Sequence, residues 1–239
     1  MRSKQSGFTL VEIAIVLVII GLLLGGVLKG QELINSAKVK NFASDMRNIS
    51  TFIYAYQDRF RALPGDDART AANLPTAPPP ATTPAPNATN QCGTACIGNA
   101  RINGAWDSAT ITDESARFWQ HIRLAGLASG TTVLPADATP TDPYYPLNAD
   151  GGRMGVTGDP VWTFPGAVWA ANFFVCMSGV QGRFVRQLDT TLDDGNTTTG
   201  TVRVLGGQAG GHMATFAAAT FYQVVPADDA TLYTVCQAN

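Results

Sequence analysis

Apolar residues are bunched toward one end of this chain. From Ile13 to Leu28 no side chain is charged or strongly polar, whereas farther on apolar residues recur singly, at Phe42, Met46, Ile49, Ile53, Tyr56 and Phe60. Alternating steps of four and three residues place those six on one helical face. No proline separates Ile13 from Phe60, so the pattern predicts one continuous helix over 8–60. Leu63-Pro64-Gly65-Asp66-Asp67 is its expected stop, since proline withholds an amide and glycine admits a turn. Residues 8–28 rise roughly 30 Å at about 1.5 Å per residue, enough to cross the hydrocarbon of a bilayer. Residues 29–62 are expected to continue as an amphipathic spine beneath an outer domain.

That outer domain, 63–239, reads as mixed. A Pro/Thr/Ala-rich stretch near 73–91 has no hydrophobic period and predicts an extended surface loop. Thr112-Asp113-Glu114-Ser115 is expected to cap a helix running to Leu127, and Val185, Leu188 and Leu192 have the spacing of a short helix over 183–192. The Pro-, Gly- and Asp-rich stretch 140–160 predicts turns. Strands are expected at 167–177, 201–205, 213–225 and 231–236. The fold class is therefore α+β, a long N-terminal helix packed on an outer domain with an antiparallel sheet.

Charge narrows the function. With 16 basic and 18 acidic residues the net charge is −2, and no Lys/Arg cluster interleaves with aromatics, so no cationic surface for nucleic acid is expected. Arg2 and Lys4 precede the apolar run and predict a cytoplasmic N-terminus with the bulk outside. A cleaved secretory signal would end in a small-x-small site, but here the run passes on into helix. No Gly-x-Ser-x-Gly, His-Glu-x-x-His or phosphate-loop motif is present, and His121 has no second histidine or cysteine near it in sequence, so it is expected as a surface or half-buried structural residue. No catalytic residue or cofactor is expected. Asp189, Asp193, Asp194 and Asn196 are weak calcium candidates, hard oxygen donors in a Gly-containing loop without EF-hand spacing. Four cysteines in an oxidising compartment allow three pairings. The short Cys92–Cys96 loop closes easily and leaves Cys176 and Cys236 for each other.

Glu12 is out of place near the head of an apolar span, where an ionised carboxylate is costly without compensation. No cation shares its helical face, so lipid headgroup, water or another chain is expected to satisfy it. Gly7-Phe8-Thr9-Leu10-Val11-Glu12 followed by the aliphatic run resembles the signal of type IV prepilins and type II secretion pseudopilins. The resemblance implies a leader at 1–7, cleavage between Gly7 and Phe8 and N-methylation of Phe8 by a prepilin peptidase. It implies a single-pass inner-membrane precursor whose bulk is periplasmic and which an inner-membrane platform assembles with homologous subunits into a periplasmic or cell-surface filament. In that family the acid at the Glu12 position is thought to pair with the new terminal amine of a neighbour. Cys176–Cys236 resembles the C-terminal disulfide of type IV pilins. Many of those pilins have a kinking proline late in the span, which this chain lacks. The alternative within the family is a minor, tip-located subunit acting as an adhesin or as a substrate- or DNA-binding module.

Overall fold

In the computed structural model the described residues are 9–74, 97–108, 110–135, 143–159, 163–164, 167–205 and 221–239. The expected cleavage bond, Cys92 and Cys96, and most of the 73–91 loop lie outside them.

Helix α1, Leu10–Phe60, is unbroken over 51 residues. Its stop comes slightly earlier than the Pro64-Gly65 signal: Arg61 takes a left-handed conformation (φ 55°) and donates its amide to Gln57 O. The buried face comprises Val39, Phe42, Ala43, Met46, Ile49, Ser50, Ile53 and Tyr56, with Phe60 half-buried. The predicted stripe is thus the face on which the domain is built. After the helix, Asp67 accepts hydrogen bonds from Tyr56 Oη (2.8 Å) and Asn73 Nδ2 (2.8 Å), which fixes the short helix α2, Thr70–Asn73.

Helix α3 covers Glu114–Leu124. Its cap differs from expectation: Asp113 occupies the N-cap but makes no capping bond there, because its carboxylate is engaged by Ser108 Oγ. His121, expected at or near the surface, is fully buried, and its Nδ1 accepts the Gly65 amide at 2.9 Å. A buried imidazole needs a partner, and the turn after α1 supplies it.

Strands β1 (Met154–Thr157), β4 (Phe174–Gln181), β5 (Val202–Leu205) and β6 (Leu232–Ala238) form one antiparallel sheet in the order β1-β4-β6-β5. A two-residue pair, β2 (Thr163–Phe164) with β3 (Ala167–Val168), stands apart. Alternation along β4 separates two cores. Val175 and Met177 face α1, α3 and helix α4 (Gly182–Leu192), while Phe174 and Cys176 face Trp106 and Trp169. Cys176 and Cys236 are register partners on β4 and β6 and are joined as a disulfide.

Two expectations need correcting. The stretch 140–160 is not all turn, since β1 lies within it, and the run 167–177 is not one strand. It breaks at 169–173, where Asn172 and Asn239 meet (Asn172 N to Asn239 O, 2.9 Å), and β4 then continues through Ser178-Gly179 by a bulge with Gly179 at φ +70°. Of the expected strand 213–225, only 221–225 is described; there Tyr222 N donates to Val204 O of β5 (2.9 Å), and the chain then enters a 3-10 turn at Pro226–Asp228.

Candidate assembly helix and acidic loop

The apolar half of α1 has a mean hydropathy of 2.8 over 18 residues and no part of that window is buried. Length and composition suffice for a membrane span. Leu10 is 86% exposed and Leu22 73%, and a side chain added at Gly21, Gly25, Gly26 or Gly30 would meet nothing within 4 Å. Those glycines form a thin stripe open to a neighbouring helix. Just past the span, Lys29 pairs with Glu32 at 2.7 Å on the helix surface.

Glu12 has a local partner that the expectation of outside compensation overlooked. Thr9 caps the helix, its Oγ1 accepting the Glu12 amide at 3.3 Å, and Glu12 Oε2 accepts from Thr9 N (2.8 Å) and Thr9 Oγ1 (2.7 Å). This is a reciprocal capping box, and its Thr-x-x-Glu signal was present in the sequence. The bonds satisfy one carboxylate oxygen but bring no positive charge. Phe8 adjoins Thr9 in sequence, so an amine created at Phe8 would lie at the same helix end.

In the outer domain, three carboxylates organise the segment 98–104. Asp66 accepts from the amides of Gly98 (2.5 Å), Ala100 (2.7 Å) and Asn99 (3.2 Å). Glu114 accepts from Asn103 N (2.8 Å), and Asp159 from Gly104 N (2.8 Å) and Asn103 Nδ2 (3.0 Å). Burial pushes the Glu114 carboxyl up to about 9; the Asn103 amide opposes this, and the charges of Asp66 and Asp159 add to it. These groups hold the loop in place.

At the C-terminal end of α4, ligand-type oxygens of Asp189, Asp193 and Asp194 lie within 4.8 Å of one another. Asp189 is 0% exposed, and among the described residues neither of its carboxylate oxygens accepts a hydrogen bond of normal geometry, the Gly195 amide lying close by. Burial raises its pKa to about 6, the charges of Asp193 and Asp194 add to the rise, and the Gly195 amide counters it. Asp193 Oδ2 accepts from Thr201 N (2.5 Å) and Val202 N (2.9 Å), linking the cluster to the start of β5. Asn196, the fourth candidate, turns its Oδ1 to Thr198 instead.

A family model described as the prokaryotic N-terminal methylation motif matches residues 2–28. The chain therefore carries the prepilin-type signal of type IV pilins and pseudopilins, and the matched segment runs from the cationic start through Gly7, Phe8 and Glu12 to the end of the apolar run. No curated protein and no solved structure matches the chain.

Proposed function

We propose that this chain is a structural subunit of a type IV pilus-like or type II secretion pseudopilus filament, cleaved after Gly7, methylated at Phe8 and assembled through the first half of α1. The observation that carries the reading is the methylation motif sitting on a helix whose apolar half has no partner among the described residues. Lipid covers that surface in the precursor, and neighbouring subunits cover it in the filament. On cleavage the leader cations Arg2 and Lys4 leave and an ammonium is created at Phe8. A neighbour displaced along the axis brings its ammonium to Glu12, which exchanges its Thr9 bonds for a charged partner in a medium of low dielectric. The pair sets register more than it adds stability. Mass spectrometry of the purified protein tests this: the mature chain starts at Phe8 with one added methyl group. A product lacking residues 1–30, soluble and never polymeric, overturns it. Subunit-specific immunolabelling along the shaft supports the structural role, and labelling at the tip alone favours the minor-subunit alternative.

The buried Asp189, with no hydrogen bond of normal geometry among the described residues and beside Asp193 and Asp194, favours a second element of the reading, a calcium ion held at the end of α4. An oxygen-only donor set of high negative charge suits a hard divalent cation. Such an ion would relieve the repulsion among the three carboxylates and fasten the end of α4 to β5 through Asp193.

A further inference from the structure

The loop after α4 has a feature that helix assembly does not use and that shares only Asp194 with the cation cluster. Residues Asp194-Gly195-Asn196-Thr197-Thr198 set an asparagine two places before a threonine and two places after an aspartate. Asn-x-Ser/Thr is the acceptor pattern for N-linked glycans in exported chains. The pattern also occurs at Asn48-Ile49-Ser50 and Asn87-Ala88-Thr89. Asn48 is wound into α1, and Ser50 is buried with its hydroxyl donated to Met46 O at 3.2 Å, so that triplet is closed to an enzyme. Asn87 lies outside the described residues and has Ala85 where Asn196 has the acid.

At Asn196 the backbone presents all three recognition groups together. Asn196 is exposed, its Oδ1 accepts from Thr198 Oγ1 (2.8 Å) and Thr198 N (3.2 Å), and its amide donates to Asp194 Oδ1 (2.8 Å). Among the described residues its Nδ2 donates no hydrogen bond, so the nitrogen that would accept a sugar is free. Thr197 is buried between them, with its hydroxyl donated to Tyr222 O (2.7 Å) and accepting Val224 N (3.0 Å). The middle residue anchors the loop while the acceptor faces solvent.

The loop also lies on the side of the domain nearest the apolar span. Helix α4 runs antiparallel to α1: Phe184 meets Phe42 and Lys38, whereas Thr190 and Thr191 share a cleft with Glu32, Asn35 and Ser36. Ser36 is about 12 Å of helical rise beyond Leu28. A transferase working at the outer membrane surface has this loop within reach.

We propose that Asn196 is the acceptor of an N-linked oligosaccharide, transferred by a membrane-embedded enzyme from a polyprenyl-pyrophosphate-linked donor. Nδ2 attacks the anomeric carbon of the donor sugar, and a C–N bond forms as the C–O bond to pyrophosphate breaks. The lipid pyrophosphate leaves with the electron pair, and one Nδ2 proton passes to a base of the transferase. Nothing is oxidised or reduced. Asp194 and Thr198 serve as the carboxylate and hydroxyl by which the acceptor is read. The proposal rests on the exported, membrane-anchored reading above.

The test is peptide mapping of the full chain purified from the cells that make it. Trypsin cuts after Arg186 and Arg203 and releases peptide 187–203. That peptide is expected to carry a glycan mass, with fragment ions placing it on Asn196. Thr198→Ala loses the glycan and Thr198→Ser keeps it, while Asn196→Gln leaves the peptide bare. An unmodified 187–203 peptide in protein with an intact Cys176–Cys236 bond overturns the proposal and leaves the filament reading standing. Sugar attached to a threonine hydroxyl also overturns it. Reduced cysteines in the same sample mean that the chain was never exported, and both readings then fail.

Discussion

Two halves of one helix meet opposite fates. Between Leu10 and Leu28 large aliphatic side chains stand exposed, Leu17 at 64% and Leu23 at 63%, while Phe42, Met46 and Ile53 on the same rod are at 0%. The second half spaces its apolar residues so that a single face carries them, and the chain's own sheet and helices cover that face. The first half is apolar all round, and a helix of that kind must be buried in lipid or among other helices. The contrast teaches that the second half of α1 is a folding element, satisfied within the domain, whereas the first half leaves its apolar surface uncovered among the described residues.

The sharpest way to break that division is Glu12→Ala. It is expected to abolish filaments in electron micrographs while leaving cleavage after Gly7 and the melting of the outer domain unchanged. Normal filaments from this variant would refute the register pairing. Next in size, Phe42→Ala should cost about 3–5 kcal/mol of outer-domain stability by the loss of a fully buried ring. Leu22→Ala should change it by less than about 0.5 kcal/mol, as an exposed substitution does. Urea unfolding of the full chain in detergent measures both, and equal losses would erase the distinction between the halves.

The acidic loop offers a smaller effect. Calcium at about a hundred times its dissociation constant should stabilise the wild-type domain by about 2.7 kcal/mol. Asp189→Asn should remove that response while raising stability in chelator, because a neutral amide is less costly to bury than a carboxylate. Thermal unfolding with and without calcium decides it.

A pH slope is also expected from Glu114. Its ordinary value is 4.5 and burial raises it to about 9 in the folded chain. Across that window the folded state holds a proton that the unfolded state has released, so this group's contribution is full below about 4.5 and declines as pH rises toward about 9. Glu114→Gln should flatten the fall in melting temperature over that range. An unchanged slope would mean that the buried carboxyl is not the source.

How far the sequence spoke depended on whether a signal was local. The stripe from Phe42 to Phe60 and the spacing of Val185, Leu188 and Leu192 specified α1 and α4 because helical periodicity is written in neighbouring residues. β1 escaped notice because Met154-Gly155-Val156-Thr157 is short, sits among turn-forming residues and gains its place from contacts remote in sequence. Gly155 fits there because a side chain would strike Trp106 O at 1.9 Å, a constraint that appears only once the loop is folded back. The expected strand stopped at Met177, whereas β4 runs on through Ser178-Gly179 by a bulge. The Thr9–Glu12 cap was legible as Thr-x-x-Glu, although attention to charge alone passed over the hydroxyl. The acidic loop was visible as composition, but the burial of Asp189 and the turning away of Asn196 depend on how α4 packs and where β5 begins.

The absence of any break in α1 has a mechanical consequence. Fifty-one residues in one hydrogen-bonded rod extend about 77 Å, so tension applied at the head is carried along the axis without a hinge to absorb it. A load on the helix would pass to the domain through the contacts of α1 with α4, β4 and α3 and through the Lys38–Asp150 bridge at 2.6 Å.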